Sequence, residues 1–363
     1  CERAQVPFRT VPELQDLMSG QVSIAELRDV SIEDLLGREP VELDWGAIRA
    51  GLTGRPILVT GAGGSIGSEL CRQIARLEPS RLILVDNGEF NLYRIERELR
   101  ERHAPLELGV YLVDVTDVRA IGRLFVRERP QVVFHAAAYK HVPLLEGQIR
   151  EAVRNNVVGT RIVADAAERH GCAEFVLIST DKAVNPSSVM GATKRLAELY
   201  CQGLGRDSDT QFMMVRFGNV LGSAGSVVPL FREQIEAGRA VTVTHPDMER
   251  FFMTIPEACQ LIMQAALIGE GGEIFVLDMG EPVNIRYLAE QMIRLAGKRP
   301  DEDVDIAYIG LRPGEKLTEE LFYAREDLAE TPHPKIKVSR SRAVDWPSFR
   351  QQLDELTECV SEY

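Results

Sequence analysis

Four polar side chains stand in a row at Ser179-Thr180-Asp181-Lys182, directly after the apolar run Phe175-Val176-Leu177-Ile178. That run, opened by Glu174, reads as a buried strand. The polar residues then fall at the carboxyl edge of a sheet, where open α/β sheets bind ligands. An acid beside an amine is the pairing that general acid–base chemistry needs. A few residues on, Met190-Gly-Ala-Thr-Lys194 opens a helix whose next apolar residues, Leu196, Ala197, Leu199 and Tyr200, keep a helical period. Met190 and Lys194, four apart, share one face of it.

The elements that must position these groups precede them. Arg55–Thr60 is a strand that runs into Gly61-Ala-Gly-Gly64-Ser65-Ile66-Gly67, and a helix follows through Leu70, Ile74 and Leu77. A strand before, a helix after and an acid about twenty residues on make this a dinucleotide fingerprint. Gly61 permits the tight turn, Gly64 the approach of a pyrophosphate, and Gly67 close packing of helix on sheet. Ser65, Ile66 and Gly67 lie at the helix N-terminus, whose free N–H groups suit phosphates. The second strand, Leu82–Val85, ends at Asp86, which can accept from both ribose hydroxyls and repels a 2′-phosphate. NAD is expected over NADP, although Arg94 softens the preference. The third strand, Leu108–Val113, is closed by Asp114-Val115, candidate adenine contacts. The fourth, Val132–Phe134, is closed by His135-Ala136-Ala137-Ala138-Tyr139-Lys140-His141, whose alanines let a second ribose lie close. His135 reads as a structural histidine. Residues 149–170 read as one long helix containing Asn155-Asn156. The order βαβαβαβαβ predicts an α/β fold with a doubly wound parallel sheet.

After residue 217 the pattern changes. Gly218-Asn219-Val220-Leu221-Gly222 begins a glycine-rich loop, followed by a helix over Val227–Glu236. Short strands near 241–243 and 274–277 alternate with helices near 256–268 and 284–296. Two polar loops carry Arg250 and Arg312-Pro313-Gly314-Glu315-Lys316, and arginines there suit a diphosphate. Four regions result: a helical arm over 1–50, a dinucleotide domain with the catalytic residues over 51–217, a smaller α/β substrate lobe over 218–340 that is expected to pack discontinuously on the dinucleotide domain, and a C-terminal helix or tail over 341–363. In the arm, Ser23–Glu26 and Ser31–Asp34 resemble capping boxes.

The chain has 363 residues, 45% of them apolar, enough for a sizeable core. A net charge of −13 argues against a nucleic-acid partner, which calls for a basic stripe. Six scattered cysteines without C-x-x-C predict reduced thiols and no metal site. No run reaches the ~18 apolar residues of a membrane span. Seven lysines stand against thirty-five arginines, which draws attention to Lys140, Lys182 and Lys194.

Taken together, Thr60–Gly67, Asn155–Thr160, Ser179–Lys194 and Arg216–Gly222 resemble an extended short-chain dehydrogenase acting on nucleotide sugars. Ser-Thr-Asp-Lys-Ala-Val-Asn-Pro, Met-Gly-Ala-Thr-Lys and Arg-Pro-Gly-Glu-Lys resemble, more narrowly, the membrane-associated polysaccharide-biosynthesis family of UDP-N-acetylglucosamine 4,6-dehydratases. The resemblance implies NAD as cofactor, with Asn156, Ser179 and Lys194 among its contacts. It also implies removal of C6 water from the sugar after oxidation at C4. In that reading Asp181 protonates the leaving hydroxyl, Lys182 as a free amine takes the C5 proton, and Thr180 bonds the C4 oxygen. Lys140, Asn219, Val220, Arg250, Arg312 and Glu315 are the substrate candidates. Most short-chain dehydrogenases carry tyrosine where this chain has Met190. A thioether moves no proton, so Asp181 or a water takes the C4 hydroxyl proton, and the methionine type is expected to retain configuration at C5.

The resemblance further implies a homodimer and a cytoplasmic catalytic region that needs no membrane contact itself. Its longer parent is expected to be anchored in the bacterial inner membrane and to serve surface glycan synthesis. A UDP-sugar 4-epimerase is the rival within the fold, and it usually needs the tyrosine. A non-catalytic dinucleotide sensor is the rival outside it, and a sensor has no use for Asp181 with Lys182.

Overall fold

The computed structural model describes residues 9–10, 28–29, 43–323, 326–340 and 345–362. Nine strands form the main sheet: β1 (Pro56–Thr60), β2 (Arg81–Asp86), β3 (Leu108–Leu112), β4 (Val132–His135), β5 (Glu174–Ile178), β6 (Gln211–Arg216), β7 (Ile274–Leu277), β8 (Asp327–Glu330) and β9 (Ile336–Arg340). Their order is β8-β9-β7-β6-β5-β4-β1-β2-β3. The seven strands from β7 to β3 pair in parallel, and β9 pairs antiparallel with both β7 and β8. The order reverses at β1, between β4 and β2. The crevice above that switch point is where such sheets take a ligand.

Both faces of the sheet are covered, so its central strands are apolar throughout rather than alternating. Ile57, Val59, Phe134 and Val176 face the helices Ser65–Ala75 and Ile255–Ile268. Leu58, Val133, Phe175 and Leu177 face the helices Gly159–Arg169, Val189–Leu204 and Trp346–Ser361. Burying each such side chain contributes roughly 1.5–3 kcal/mol. A separate small core, including Phe231, Val243, Ile285 and Leu288, holds the lobe beside the carboxyl edge.

Three features differ from the sequence expectation. The strand over 274–277 is part of the main sheet, not of the small lobe. Ile274–Leu277 is buried throughout and extends the parallel ladder beside β6. The chain therefore leaves the dinucleotide domain and returns to it. The expected single helix over 149–170 is interrupted by a π-turn over Arg154–Val158. Its cause is Asn156, whose amide accepts from Tyr139 N at 2.8 Å and donates to Tyr139 O and Thr193 Oγ1 at 3.0 Å each. Such π-turns recur at functional sites. In the expected N-terminal arm, Arg9–Thr10 pairs antiparallel with Arg28–Asp29. The helix Trp45–Leu52, capped by Asp44, runs across the boundary drawn at residue 50. Both expected capping boxes lie outside the described residues.

Candidate active site

The dinucleotide end of the crevice is built by backbone. Gly61 has φ +65°, and a Cβ on it would stand 2.7 Å from Ala137 N. A Cβ on Gly67 would collide with the Gly61 carbonyl. Only glycine allows β1, β4 and the helix Ser65–Ala75 to meet this closely. Gly64 is that helix's N-cap and brings no capping side chain, which leaves the first-turn donors of Ser65, Ile66 and Gly67 for a ligand. Asp86 accepts from Gly63 N at 2.8 Å and from Gly88 N at 2.7 Å, which fixes its carboxylate at the tip of β2. Asp114 closes β3 and accepts from both the amide and the hydroxyl of Thr116 at 2.8 Å. Val115 is buried, in the space that Gly159 leaves open. This cradle of amides and carboxylates fits a nicotinamide dinucleotide.

A cavity of about 470 Å³ continues from there toward the small lobe. Of the residues singled out in sequence, Ile66, Ala136, Ala138, Lys140, Ser179, Thr180, Lys182, Met190, Lys194, Asn219, Val220, Arg250, Arg312 and Glu315 line it. Gly61, Gly64, Ser65, Gly67, Asp86, Asp114, Val115, Ala137, Asn156 and Asp181 do not. Most of these serve the cradle, and Asn156 ties the π-turn to the loop after β4.

The chemical centre is a short 3₁₀ turn after β5. Thr180 Oγ1 donates to Asp181 Oδ1 at 2.8 Å, and Lys182 Nζ donates to the same oxygen at 2.9 Å and to Asn219 Oδ1 at 3.1 Å. Asp181 is fully buried behind Thr180 and Lys182, and its Oδ2 has no hydrogen-bond partner among the described residues. The turn is held from below by the helix Val189–Leu204. A Cβ on Gly191 would collide with the Lys182 carbonyl. Met190 is buried against Val142, Leu145 and Ala152 and forms one wall of the cavity. Lys194 donates to Ile178 O at 2.6 Å, and burial lowers its ammonium to a pKa of about 8.

His135 is buried between Thr60 Oγ1 at 2.8 Å and Thr160 Oγ1 at 3.1 Å. Burial, with Lys194 nearby, drops it to about 3, so it stays neutral and structural. Lys140 reaches Ser223 Oγ at 2.7 Å and Ala224 O at 2.9 Å, pinning the glycine-rich loop over the cradle. Burial lowers its ammonium too. Arg250 donates to the carbonyls of Glu249, Lys316 and Leu317 at 2.7–3.0 Å, clamping the loop that follows Arg312. Arg312 is half exposed and paired to Glu315.

Two features of the site were not read from sequence. Glu319 is buried in the cavity wall, 3.8 Å from Lys182 Nζ and 3.9 Å from Arg250 Nη2. Behind β5, Ser179 Oγ donates to Glu198 at 2.6 Å, and Glu198 is held by Arg216. A polar residue ending the apolar strand Gln211–Arg216 is the one sequence signal for the second; nothing local marks the first.

The family model described as "Polysaccharide biosynthesis protein" matches residues 57–341. The chain is 51% identical over 338 residues to the capsular polysaccharide biosynthesis protein CapD of Staphylococcus aureus, covering 93% of this chain and 56% of that protein. It thus spans little more than half the length of that relative. It is 33% identical over 283 residues to the UDP-glucose 4-epimerase of Rickettsia canadensis, covering 76% of this chain and 80% of that one. Among solved structures, Pen from Bacillus thuringiensis superposes with a TM-score of 0.73 at 31% identity, over 81% of this chain and 90% of Pen.

Proposed function

We propose that this chain, which belongs to the polysaccharide biosynthesis protein family of extended short-chain dehydrogenases, is a nucleotide-sugar 4,6-dehydratase acting on UDP-N-acetylglucosamine. The observation that carries the reading is the Thr180–Asp181–Lys182 arrangement: a hydroxyl and an amine at the cavity wall both donate to one oxygen of a buried carboxylate. An epimerase has no step for such a pair.

The Gly61–Gly67 turn, Asp86 and Lys194 would hold a nicotinamide dinucleotide, NAD by the Asp86 argument, which when bound would supply hydride chemistry between C4 and C6 of the sugar. The chain's own residues handle the protons. Thr180 bonds the C4 oxygen and relays its proton to Asp181, so no tyrosine is needed at position 190. Lys182, as the free amine, takes the C5 proton made acidic by the C4 ketone. Asp181 then gives the stored proton, through the groups in front of it, to the C6 hydroxyl as water leaves. Lys182 returns its proton to C5. Lys194 holds the nicotinamide ribose. Lys140, Arg250 and Arg312 place positive charge around the diphosphate, with Asn219, Val220 and Glu315 beside the sugar.

Among the described residues no helix is long and apolar enough to cross a membrane. A longer, membrane-anchored parent is part of the proposal, supported by the chain's spanning 56% of CapD's length.

The test is a mass spectrum of UDP-N-acetylglucosamine incubated with the protein and trace NAD in heavy water. Loss of one water with uptake of one deuterium at C5 is expected. The similarity to a 4-epimerase supports a second reading, in which the mass is unchanged while the sugars separate chromatographically; that outcome would replace the first.

A further inference from the structure

We propose that Glu319 is a proton-holding residue that keeps Lys182 in its free-base form, a role that rests on the dehydratase reading. The cluster contains four charged groups. Asp181 and Lys182 come from the turn after β5, Arg250 from the strand Glu249–Arg250, and Glu319 from the loop that Arg250 clamps. Lys316, on Glu319's own loop, adds a fifth charge at longer range. Lys182 lies between the two carboxylates, 2.9 Å from Asp181 Oδ1 and 3.8 Å from Glu319 Oε1.

An alkyl ammonium is the ordinary state of a lysine at neutral pH, and it cannot accept a proton from C5. One of the neighbouring carboxylates must relieve it. Asp181 is the nearer one, but in the reaction it has to receive the C4 hydroxyl proton, so it must start ionised. Glu319 has no such duty. Its Oε2 has no hydrogen-bond partner among the described residues, and its side chain is 4% exposed. Burial and Asp181 raise its carboxyl above the usual range, against the pull of Lys182, Arg250 and Lys316.

The step balances. A small rotation closes 3.8 Å to hydrogen-bond length. One N–H bond of the ammonium breaks, its electron pair stays on the Lys182 nitrogen, and an O–H bond forms on Glu319. The cluster then holds Asp181 as carboxylate, Glu319 as acid, Lys182 as amine and Arg250 as cation, with no change in net charge. A proton is moved inside the protein rather than released to solvent. The free-amine fraction is therefore independent of pH as long as the pair holds one proton.

The experiment measures that fraction without requiring turnover. The NAD-loaded protein is labelled briefly with trace acetic anhydride at a series of pH values between about 6 and 8, and acetylation of Lys182 is read by peptide mass spectrometry against a free-amine standard. In the wild type the relative rate is expected to be flat. In Glu319→Gln, which cannot take the proton, it is expected to fall about tenfold per pH unit on acidification. Glu319→Asp, which keeps a carboxyl, restores the flat profile. A unit slope in the wild type, or a flat profile in Glu319→Gln, overturns the proposal. Loss of water from UDP-N-acetylglucosamine by the wild type is measured separately, so failure of the reaction and failure of the proton-holding role give different results. Where the wild type turns over, kcat of Glu319→Gln follows the labelling profile, and a merely structural Glu319 would lower kcat equally at every pH.

Discussion

Two buried clusters of carboxylates and cations lie at the same edge of the sheet, and they are built to opposite ends. Behind β5 and β6, the fully buried Arg216 donates to both oxygens of Glu198 at 2.7 Å and to Glu326 at 3.2 Å. Arg195 and Ser179 complete the Glu198 carboxylate. Burial alone would raise Glu198; the Arg216 guanidinium outweighs it and holds the carboxyl below the usual range. In front, at the cavity, Asp181 and Glu319 each keep one oxygen with no partner among the described residues, and burial pushes the Glu319 carboxyl up. A saturated network fixes its protons and serves as structure. An unsaturated one leaves protons free to move. The difference lies in geometry and in residue type, since the front cluster uses Asp181 and Lys182 where the rear one has only glutamates and arginines as its charged groups.

The largest break in this comparison comes from Lys182→Ala. Removing the amine that lines the cavity is expected, on the dehydratase proposal, to lower kcat by about 10³-fold or more, with NAD affinity unchanged. Product mass spectrometry and NAD fluorescence titration check the two halves. Turnover at the wild-type rate would move Lys182 to the structural side.

Arg216→Leu makes the opposite break. It strands Glu198 and Glu326 in the interior, and uncovering a buried ion pair costs roughly 3–5 kcal/mol. Guanidinium unfolding is expected to show that loss, and a smaller one for Lys182→Ala, because Lys182 is itself part-exposed and Asp181 keeps the Thr180 hydrogen bond. Equal destabilisation by both variants would erase the distinction between the clusters.

Gly191→Ala sharpens it from the backbone. The added methyl meets the Lys182 carbonyl, so either the helix Val189–Leu204 or the catalytic turn must shift. Overpacking of this kind costs about 1–3 kcal/mol. Because the turn is at the cavity, kcat is expected to fall about tenfold or more while far-UV circular dichroism is unchanged. A loss of stability with normal kcat would mean that the helix, not the turn, gives way.

These residues also show what a sequence can reveal. The sheet was legible because a doubly covered parallel strand is an unbroken apolar run, and β1, β2, β4, β5 and β6 each are one. The grouping of Asp181, Lys182 and Lys194 in space could be read from sequence because strand end and helix start bring them together over a few residues. Glu319 was not. It follows Thr318 and precedes Glu320, and the two acids look alike in sequence. Glu320 is exposed on Asn185 and Lys316, while Glu319 faces Lys182 only because the Arg250 guanidinium holds the carbonyls of Lys316 and Leu317. That is tertiary information. The strand Ile274–Leu277 was assigned to the small lobe for the same reason, since its pairing partner β6 is distant in sequence. The π-turn at Arg154–Val158 depends on Asn156 finding Tyr139 and Thr193, neither of them a helical neighbour.

The smallest expected effect comes at the cavity. Met190 stands beside the cavity cluster: it is packed against Val142, Leu145 and Ala152, yet it walls the cavity. Met190→Tyr introduces a larger ring whose hydroxyl can point into the cavity rather than into the core, so the cost is expected to stay under about 1.5 kcal/mol. If Thr180 already passes the C4 proton to Asp181, a phenol there adds no missing function, and kcat should remain within about tenfold of wild type. A variant that fails to fold would make Met190 a packing residue first. A variant that folds and gains rate strongly would show that the Thr180–Asp181 relay is the slow link, and that the cavity cluster works without the proton acceptor that most of its relatives in fold carry at this position.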